Sequence, residues 1–281
     1  MGDVLAGFHA AWEFESDSVL IRYERGIRTP KLFQALGERR VPLAALERVT
    51  VSAGKRGTVV LRAEPRAGAD PLIEAAAGQL KDGSDPYRLV LPAERETLAA
   101  YYADELRPLL TGSGPAERFL VAAPEAPRQF KAYDGKASFD GRAVQFRWSW
   151  TGASTAKWKA GDQSFAVTDL AGVEWRSPEV FEGHLRLLRR DHAGGAVPAD
   201  QDPATVVFGL GYGPVHESLP FAAAVLEAVR AKGASALPVQ AGRRDPADIA
   251  ERIRHLGELH RAGLITDEEF SVKKAELLAE L

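Results

Sequence analysis

The chain has 281 residues, of which 45% are hydrophobic and 27% are charged, and its formal net charge is -3. This composition is typical of a folded protein with about two domains and excludes a chain that is disordered throughout. The near-neutral charge does not indicate a strongly basic nucleic-acid-binding protein, so we expect no nucleic-acid partner. The absence of cysteine excludes disulfides, thiolate zinc sites, iron–sulfur clusters and cysteine nucleophiles.

The sequence contains no recognisable targeting or membrane-spanning segment. Residues 1–11 have neither the basic region nor the long apolar region of a secretory signal. No run approaches the 18 or so apolar residues of a transmembrane helix. We therefore expect a cytoplasmic protein.

Two segments, 12–110 and 137–230, repeat the same order of residue patterns. The spacing of Phe14, Val19, Ile21, Arg22 and Tyr23 recurs in a second set: Phe139, Val144, Phe146, Arg147 and Trp148. In both segments the pattern predicts a strand, a tight polar turn and an alternating strand, with Trp150 extending the alternation in the second. The chain is therefore predicted to contain an internal repeat.

The rest of each repeat predicts further strands and a closing helix. Residues 41–51 and 166–175 both indicate a strand, a short helical turn and another strand, and more strands are expected at 57–63, 87–91, 183–188 and 205–210. A helix over 94–110 places five apolar residues at helical spacing: Leu98, Tyr101, Tyr102, Leu106 and Leu109. A helix over 220–232 does the same with Phe221, Val225, Leu226 and Val229.

This order of elements predicts an α+β fold, in which an antiparallel sheet curls around or onto one helix. The nearest common architecture is a pleckstrin-homology-like barrel. We expect two such domains at 1–110 and 128–232, flexible linkers at 111–127 and 233–244, and a helical hairpin at 245–281. The long loops 65–86 and 189–203 are either functional or disordered, and residues 72–77 favour a short helix.

The last 37 or so residues have strong helix-capping signals on both predicted helices. Asp245 and Pro246 begin the first helix, Gly263 ends it, and Thr266 with Glu269 forms a capping box for the second. A hairpin of this size buries too little surface to be stable alone, so it needs a partner surface. We expect homo-oligomerisation through its apolar residues: Ile249, Ile253, Leu256, Leu259, Leu264, Ile265, Phe270, Leu277 and Leu278.

Two family resemblances follow from these residues. The run 253–270, with its Ala-Gly-Leu-Ile-Thr-Asp-Glu-Glu-Phe core, closely resembles the SHOCT family of short C-terminal domains, and this resemblance implies a role in oligomerisation. The two repeats resemble the DUF4429 family of actinobacteria, which is similar to bacterial pleckstrin-homology-like domains. The positions that carry this resemblance are packing positions, so it implies a fold and no chemistry.

No catalytic or metal-binding motif stands out. The six histidines do not form a metal-ligand pattern, and no Gly-x-Ser-x-Gly elbow is present. The glycine-rich run 209–213 lacks the Lys-Ser/Thr of a phosphate-binding loop, which favours a simple turn. We therefore expect no catalytic residues, no cofactor and no metal, and a protein that is not an enzyme.

Two groups of side chains suggest binding surfaces. One is basic and lies in the first repeat: Arg22, Arg25, Arg28, Lys31, Arg39 and Arg40. It indicates either a site for an anionic ligand such as a lipid headgroup or a solvated, salt-bridged surface, because Glu24, Glu38 and Glu47 are interleaved with it. In the second repeat, Trp158 lies in a predicted turn and is either a partner anchor or an incidentally packed aromatic residue.

The leading hypothesis is a non-enzymatic cytoplasmic scaffold protein. Its pleckstrin-homology-like domains would bind an unidentified protein partner, and its tail would multiply those sites by self-assembly. The alternative is a peripheral membrane module that binds anionic lipid through the basic turns of the first repeat. A weaker possibility is a small-molecule-binding protein or an enzyme with an unrecognised site.

Overall fold

The computed structural model describes residues 3–191 and 197–236, with side chains described as far as residue 232. The chain divides into two compact units, residues 1–234 and 235–281, and both repeats lie in the first unit. Within the described residues, this unit contains four antiparallel sheets and five α-helices. The α+β class predicted from the sequence is confirmed.

The first repeat contains a four-stranded sheet, a three-stranded sheet and three helices. The four-stranded sheet consists, in order, of β1 (Asp3–Ala6), β2 (Ala10–Phe14), β3 (Ser18–Tyr23) and β4 (Glu38–Pro42). The three-stranded sheet consists of β5 (Leu46–Ala53), β6 (Thr58–Pro65) and β7 (Arg88–Pro92). Helix α1 (Lys31–Leu36) connects β3 to β4, α2 (Pro71–Ala76) connects β6 to β7, and α3 (Glu96–Leu106) follows β7.

The second repeat has the same sheet topology, which confirms the predicted repetition. Its four-stranded sheet consists, in order, of β8 (Arg128–Lys131), β9 (Gly135–Phe139), β10 (Ala143–Trp148) and β11 (Gln163–Ala166). Its three-stranded sheet consists of β12 (Leu170–Arg176), β13 (His184–Arg189) and β14 (Thr205–Val207). Helix α4 (Thr155–Ala160) takes the place of α1, and the last helix is α5 (Val215–Ala236). The described residues between β13 and β14 contain no counterpart of α2.

The two equivalent hairpins, β2–β3 and β9–β10, share one register. Phe14 faces Val19 in the first, and Phe139 faces Val144 in the second. Because side chains alternate across a strand, this register turns one set of residues in each hairpin inward. In β3 Leu20, on the opposite face, is buried as well. The inward-facing set is the one predicted from the alternation: Val19, Ile21, Tyr23, Val144, Phe146 and Trp148.

Helix α3 confirms part of the predicted apolar face, since Leu106 is buried and Tyr102 packs against the core. Ala99, Ala103 and Leu106 form its buried stripe, whereas Leu98 and Tyr101 are exposed. Leu109, which the prediction placed in the same helix, lies beyond the end of α3 and is exposed. Two small alanines and Leu106 therefore form the face toward the core, and Leu98 and Tyr101 lie outside it.

Helix α5 is covered on nearly all sides. Every residue from Ser218 to Val225 is buried, which is typical of a helix enclosed by protein rather than one that faces solvent. One side packs on its own sheets, where the Phe221 ring contacts Phe130 at a centroid distance of 5.0 Å. Toward its C-terminal end, Arg230 contacts the first repeat by an ion pair of 3.3 Å with Glu74.

The two repeats are joined by α2, the short helix predicted within the loop 65–86. Its apolar residues Leu72, Ala75 and Ala76 belong to the hydrophobic core of the second repeat rather than to that of the first. Just after the helix, the Gln79 side chain donates to the Trp175 carbonyl and accepts from the Ser177 backbone N–H, both at 2.9 Å. The loop is therefore an ordered joint between the repeats.

Asp70 anchors this joint to the first repeat. Its buried carboxylate caps α2 by accepting from the Leu72 N–H at 2.8 Å and accepts two hydrogen bonds of 2.9 Å from Arg39. The Tyr87 hydroxyl donates to the same carboxylate at 2.6 Å. Burial raises the pKa of Tyr87, and the charge of Asp70 raises it further, so this hydroxyl remains a neutral donor.

The segment 111–127 differs from the flexible spacer predicted from its composition. Ala116, Val121 and Ala123 are buried, and the Ala116 N–H donates to the Ala67 carbonyl at 2.7 Å. The Arg66 guanidinium donates to the carbonyls of residues 113, 114 and 115. The segment is thus packed along the first repeat even though it contains neither helix nor strand.

We predict that Asp70→Asn will destabilise the protein by about 3–5 kcal/mol, because it leaves the Arg39 charge buried without its counterion. The matched control is Arg40→Met, which removes an exposed ion pair with Glu15 and should cost below about 1 kcal/mol. Urea denaturation of the full chain measures both. Equal effects of the two substitutions would contradict the central role of Asp70.

Candidate binding cleft between the repeats

A cleft of about 720 Å³ lies between the two repeats of the first unit. The first repeat contributes Ser84 and residues 30–32, where α1 begins. The second repeat contributes residues 178–183, between β12 and β13, and residues from the turn and helix start at 208–216. Because no single repeat forms both walls, the cleft depends on the joint at α2.

The wall at 208–214 is a glycine-dependent turn, as predicted. The Tyr212 N–H donates to the Gly209 carbonyl at 2.9 Å, and the Gly213 N–H donates to the Lys131 carbonyl at 2.7 Å. Gly213 has a φ of 61°, and a Cβ there would lie 2.2 Å from the Phe208 ring. Only glycine fits this position, because the ring closes over the backbone.

Apolar side chains project outward around the cleft. Leu210 is fully exposed and Phe181 is 84% exposed, while Val180 and Tyr212 are about half exposed (46% and 45%). All four line the cleft and all come from the second repeat. A cluster of large exposed apolar residues is typical of an interaction surface, since such residues gain free energy when a partner covers them.

The charged residues of the cleft are unevenly paired. Glu179 has an ion pair with Lys81 at 3.1 Å, and Glu182 lies 4.0 Å from Arg176. Lys31, by contrast, has no acidic side chain within 4.0 Å among residues 3–191 and 197–232. Glu179 and Glu182 therefore each have a basic neighbour, whereas Lys31 has no acidic partner among the described residues and can pair with a ligand.

His216 lies in the same cleft as Lys31. Burial lowers the pKa of His216, Glu217 at 3.7 Å acts in the opposite direction, and the positive charge of Lys31 lowers it further. The imidazole and the ammonium are therefore close enough to repel when both are charged. An anionic group placed between them would relieve that repulsion.

The structure divides the six basic residues predicted to bind an anionic ligand into two groups. Arg22 pairs with Glu13 and Glu38, and Arg40 pairs with Glu15. Arg39 is buried on Asp70, so the prediction that its guanidinium contributes to a surface site is wrong. The second group has no acidic partner within 4.0 Å in the described part of the chain: Arg25, Arg28 and Lys31.

The tryptophans of the second repeat also differ from their predicted positions. Trp148 is buried, but Trp150 lies beyond the end of β10 and is 81% exposed, so it is not a core residue of the strand. Trp158, predicted in a turn, lies on α4 and meets Trp150 edge to face at a centroid distance of 5.0 Å. These two rings form an exposed aromatic pair outside the lining of the cleft.

A buried ion pair beside these rings was not anticipated from the sequence. The Lys157 ammonium is fully buried and donates to Asp134 at 2.5 Å and to the Ala199 carbonyl at 2.8 Å. Burial lowers the pKa of Lys157 and raises that of Asp134, and the attraction between the two groups opposes both shifts. Lys157 occupies the position in the second repeat that Phe33 occupies in the first. Each residue lies four positions before the glycine that ends its helix, Gly161 for α4 and Gly37 for α1. Aligning the two repeats on these glycines shows that a lysine has replaced a phenylalanine.

The predicted oligomerisation residues Ile249, Ile253, Leu256, Leu259, Leu264, Ile265, Phe270, Leu277 and Leu278 lie outside the described residues, as does the hairpin 245–281 that contains them.

Comparison with protein families now bears on both parts of the chain. The model of a domain of unknown function, DUF4429, matches residues 12–107 and 137–226, which together make up more than half of the chain. The chain belongs to the DUF4429 family. The model of the short C-terminal domain, SHOCT, matches residues 251–278, and no curated protein matches the chain.

The cleft is built entirely from residues within the two DUF4429 segments. Lys31 and Ser84 lie in the first, and both walls of the second repeat lie between residues 178 and 216. The packed segment 111–127 lies between the two matches. A tandem arrangement of DUF4429 repeats therefore supplies every residue that lines the cleft.

The described residues contain neither a candidate membrane-spanning helix nor a candidate metal-binding cluster. Over residues 3–191 and 197–236, no helix is both long and apolar enough to cross a bilayer. Over the same residues, no group of three or more His, Asp or Glu side chains is arranged to hold a metal ion.

We predict that Lys31→Gln will raise the pKa of His216, because it removes a positive charge that disfavours the imidazolium. Titration of the imidazole Cε1 proton by NMR measures this change directly. Lys55→Gln, at an exposed turn far along the first repeat, is the matched control and should leave His216 unaffected. An unchanged pKa in Lys31→Gln would show that the two groups do not face each other.

Proposed function

We propose that this DUF4429 protein is a non-enzymatic interaction protein that binds a segment of a partner protein in the cleft between its repeats. The observation that carries the proposal is the group of exposed apolar side chains around that cleft, led by Leu210 and Phe181. Exposed residues of this kind are costly in water unless a partner covers them. We place this activity in the cytoplasm.

We also assign a pleckstrin-homology-like fold to each repeat. The support is the arrangement of four antiparallel strands, then three, closed by one helix, which occurs in both repeats. In each repeat the first loop meets the last strand: Phe8 pairs with Val90, and the Tyr133 N–H donates to the Val207 carbonyl at 3.0 Å. The two sheets of a repeat are thus joined at that edge, as closure into a barrel requires. The fold alone does not specify a ligand, so the proposal rests on the cleft.

The C-terminal tail is proposed to assemble several copies. The SHOCT match at 251–278 supports this role, as does the apolar stripe that contains Leu256 and Phe270. Several weak clefts in one assembly bind a multivalent partner more tightly than one cleft does, because the later contacts become intramolecular. Assembly and cleft binding would then act together.

The alternative is a peripheral module that binds anionic membranes. It is favoured by one specific observation, the loop between β3 and α1. This loop presents a fully exposed Ile27 between Arg25 and Arg28, neither of which has an acidic partner within 4.0 Å among the described residues. Basic residues next to an exposed apolar side chain are suited to an anionic bilayer surface.

We predict that Leu256→Asp or Phe270→Asp will reduce the full-length protein to a monomer without unfolding residues 1–234. The substituted charge would lie on the apolar stripe that self-association buries. Light scattering gives the mass and circular dichroism reports the folding of the repeats. Leu256→Met, which keeps the apolar character, is the matched control and should leave the mass unchanged. A wild-type protein that is monomeric at micromolar concentration would contradict the assembly role.

We predict that the photoreactive amino acid p-benzoylphenylalanine, placed at Leu210, will form covalent adducts with a protein in the native host. The same amino acid at Leu98, an exposed apolar position on α3, is the control for non-specific capture. Adding Phe181→Ser to the Leu210 variant should abolish the adduct, because it removes part of the same apolar surface. Equal adducts at both positions, or none at Leu210, would contradict binding in the cleft.

A further inference from the structure

We infer that the partner segment bound in the cleft is acidic and amphipathic, with apolar side chains against the second repeat and carboxylates against the first. This inference rests on the proposed function and names the chemistry of the partner. It follows from the way the cleft separates its apolar residues from its unpaired charges.

The apolar half of the cleft belongs to two loops of the second repeat. Val180 and Phe181 project from the loop after β12, and Leu210 and Tyr212 project from the turn after β14. Leu210 and Phe181 extend into solvent rather than facing an enclosed cavity. A small ligand needs a pocket that buries most of its surface, whereas a polypeptide laid along the cleft covers side chains that project outward.

The charged half belongs to the first repeat. Lys31, the first residue of α1, lines the cleft, and Arg25 and Arg28 lie outside the lining in the exposed loop that precedes this helix. The loop 24–30 carries one carboxylate, Glu24, beside Arg25 and Arg28, and Lys31 follows it at the start of α1. None of the three cations has an acidic side chain within 4.0 Å in the part of the chain that the structure describes.

The acidic residues of the lining do not offset these cations. Glu179 is paired with Lys81, and Glu182 is paired with Arg176, so each already has a counterion. His216, at the start of α5, adds a titratable group next to Lys31, with Glu217 beside it. Among the described residues, the positive charge of the lining that has no acidic partner is that of Lys31, at the end of the cleft formed by the first repeat. This charge favours a bound segment with carboxylates at the same end.

The test uses the full-length protein and labelled peptides of about 16 residues, read by fluorescence anisotropy. The first peptide carries Leu and Phe on one half and Glu on the other. In the second, Lys replaces Glu, and in the third, Ser replaces Leu and Phe. We expect the first peptide to bind about tenfold or more tightly than either of the others, and to weaken from about 50 to about 300 mM NaCl.

Matched variants locate the binding in the cleft. Arg28→Glu with Lys31→Glu should weaken the acidic peptide about tenfold and strengthen the lysine peptide, since the charge of that end is reversed. Phe181→Ser with Leu210→Ser should abolish binding of both. Two exposed substitutions outside the cleft serve as controls and should change neither affinity: Lys55→Glu and Leu98→Ser.

Three results would overturn the inference. Equal affinity for the acidic and lysine peptides would show that charge does not select the partner. Absence of peptide binding, when the Leu210 photo-adduct with a protein forms, would refute the inference and leave the proposed function standing. The third result has two parts. The protein floats with vesicles of phosphatidylcholine and phosphatidylserine only when Arg25, Arg28 and Lys31 are present, and it binds the peptides equally well without these three residues. This result would show that the cations bind a membrane and not the partner segment. Failure of the proposed function is recognised separately, by the absence of that adduct.

Discussion

The position of the second repeat depends on one buried carboxylate in the first. Asp70 accepts hydrogen bonds from Arg39, Tyr87 and the Leu72 N–H, so a single side chain ties β4 and the end of the β6–β7 loop to the start of α2. Removing one partner of such a pair leaves a charge without compensation in a medium where water cannot solvate it. Because α2 inserts its apolar residues into the core of the other repeat, the hydrogen bonds of Asp70 hold one of the elements that join the two walls of the cleft.

The two closing helices, α3 and α5, differ in composition because different amounts of their surfaces are buried. Helix α3 is amphipathic, with Ala99 and Ala103 facing the core and acidic residues facing solvent. Helix α5 is apolar on almost every side between Ser218 and Val225, since its own sheets cover one face and the rest is enclosed by the surrounding protein. Equivalent elements of a tandem repeat have thus diverged according to how much of their surface is buried. The same divergence replaced the Phe33–Tyr23 contact by Lys157 over Trp148.

The cleft combines two kinds of surface that the fold keeps apart. Its apolar residues are held on short loops of the second repeat, one of which turns at Gly213 against the Phe208 ring. The cation that the first repeat contributes to its lining is Lys31, at the start of α1, which has no acidic side chain within 4.0 Å among the described residues. The neighbouring Arg22 and Arg40 differ from Lys31 in that each already has an acidic partner within the first repeat. A rigid joint between the repeats would hold both surfaces in one geometry, which reduces the entropy lost on binding.

The sequence by itself determined the repeat, most of the strands from β2 and β9 onward, the α+β class and the family of each part, because alternation and capping depend on residues close together in the chain. It also located α2 within a long loop. It did not indicate the edge strands β1 and β8 or the short helices α1 and α4. Only the tertiary structure decided which side chains are available for binding. Nothing in the local sequence separates Arg39 from Arg28. Arg39 is nevertheless buried, because it pairs with Asp70, which lies 31 residues away along the chain. Lys157 is buried for the same reason, since Asp134 is 23 residues away along the chain. The surroundings of a side chain are set by residues that are distant in sequence and near only after folding, so burial, pairing and the cleft itself had to be read from the fold.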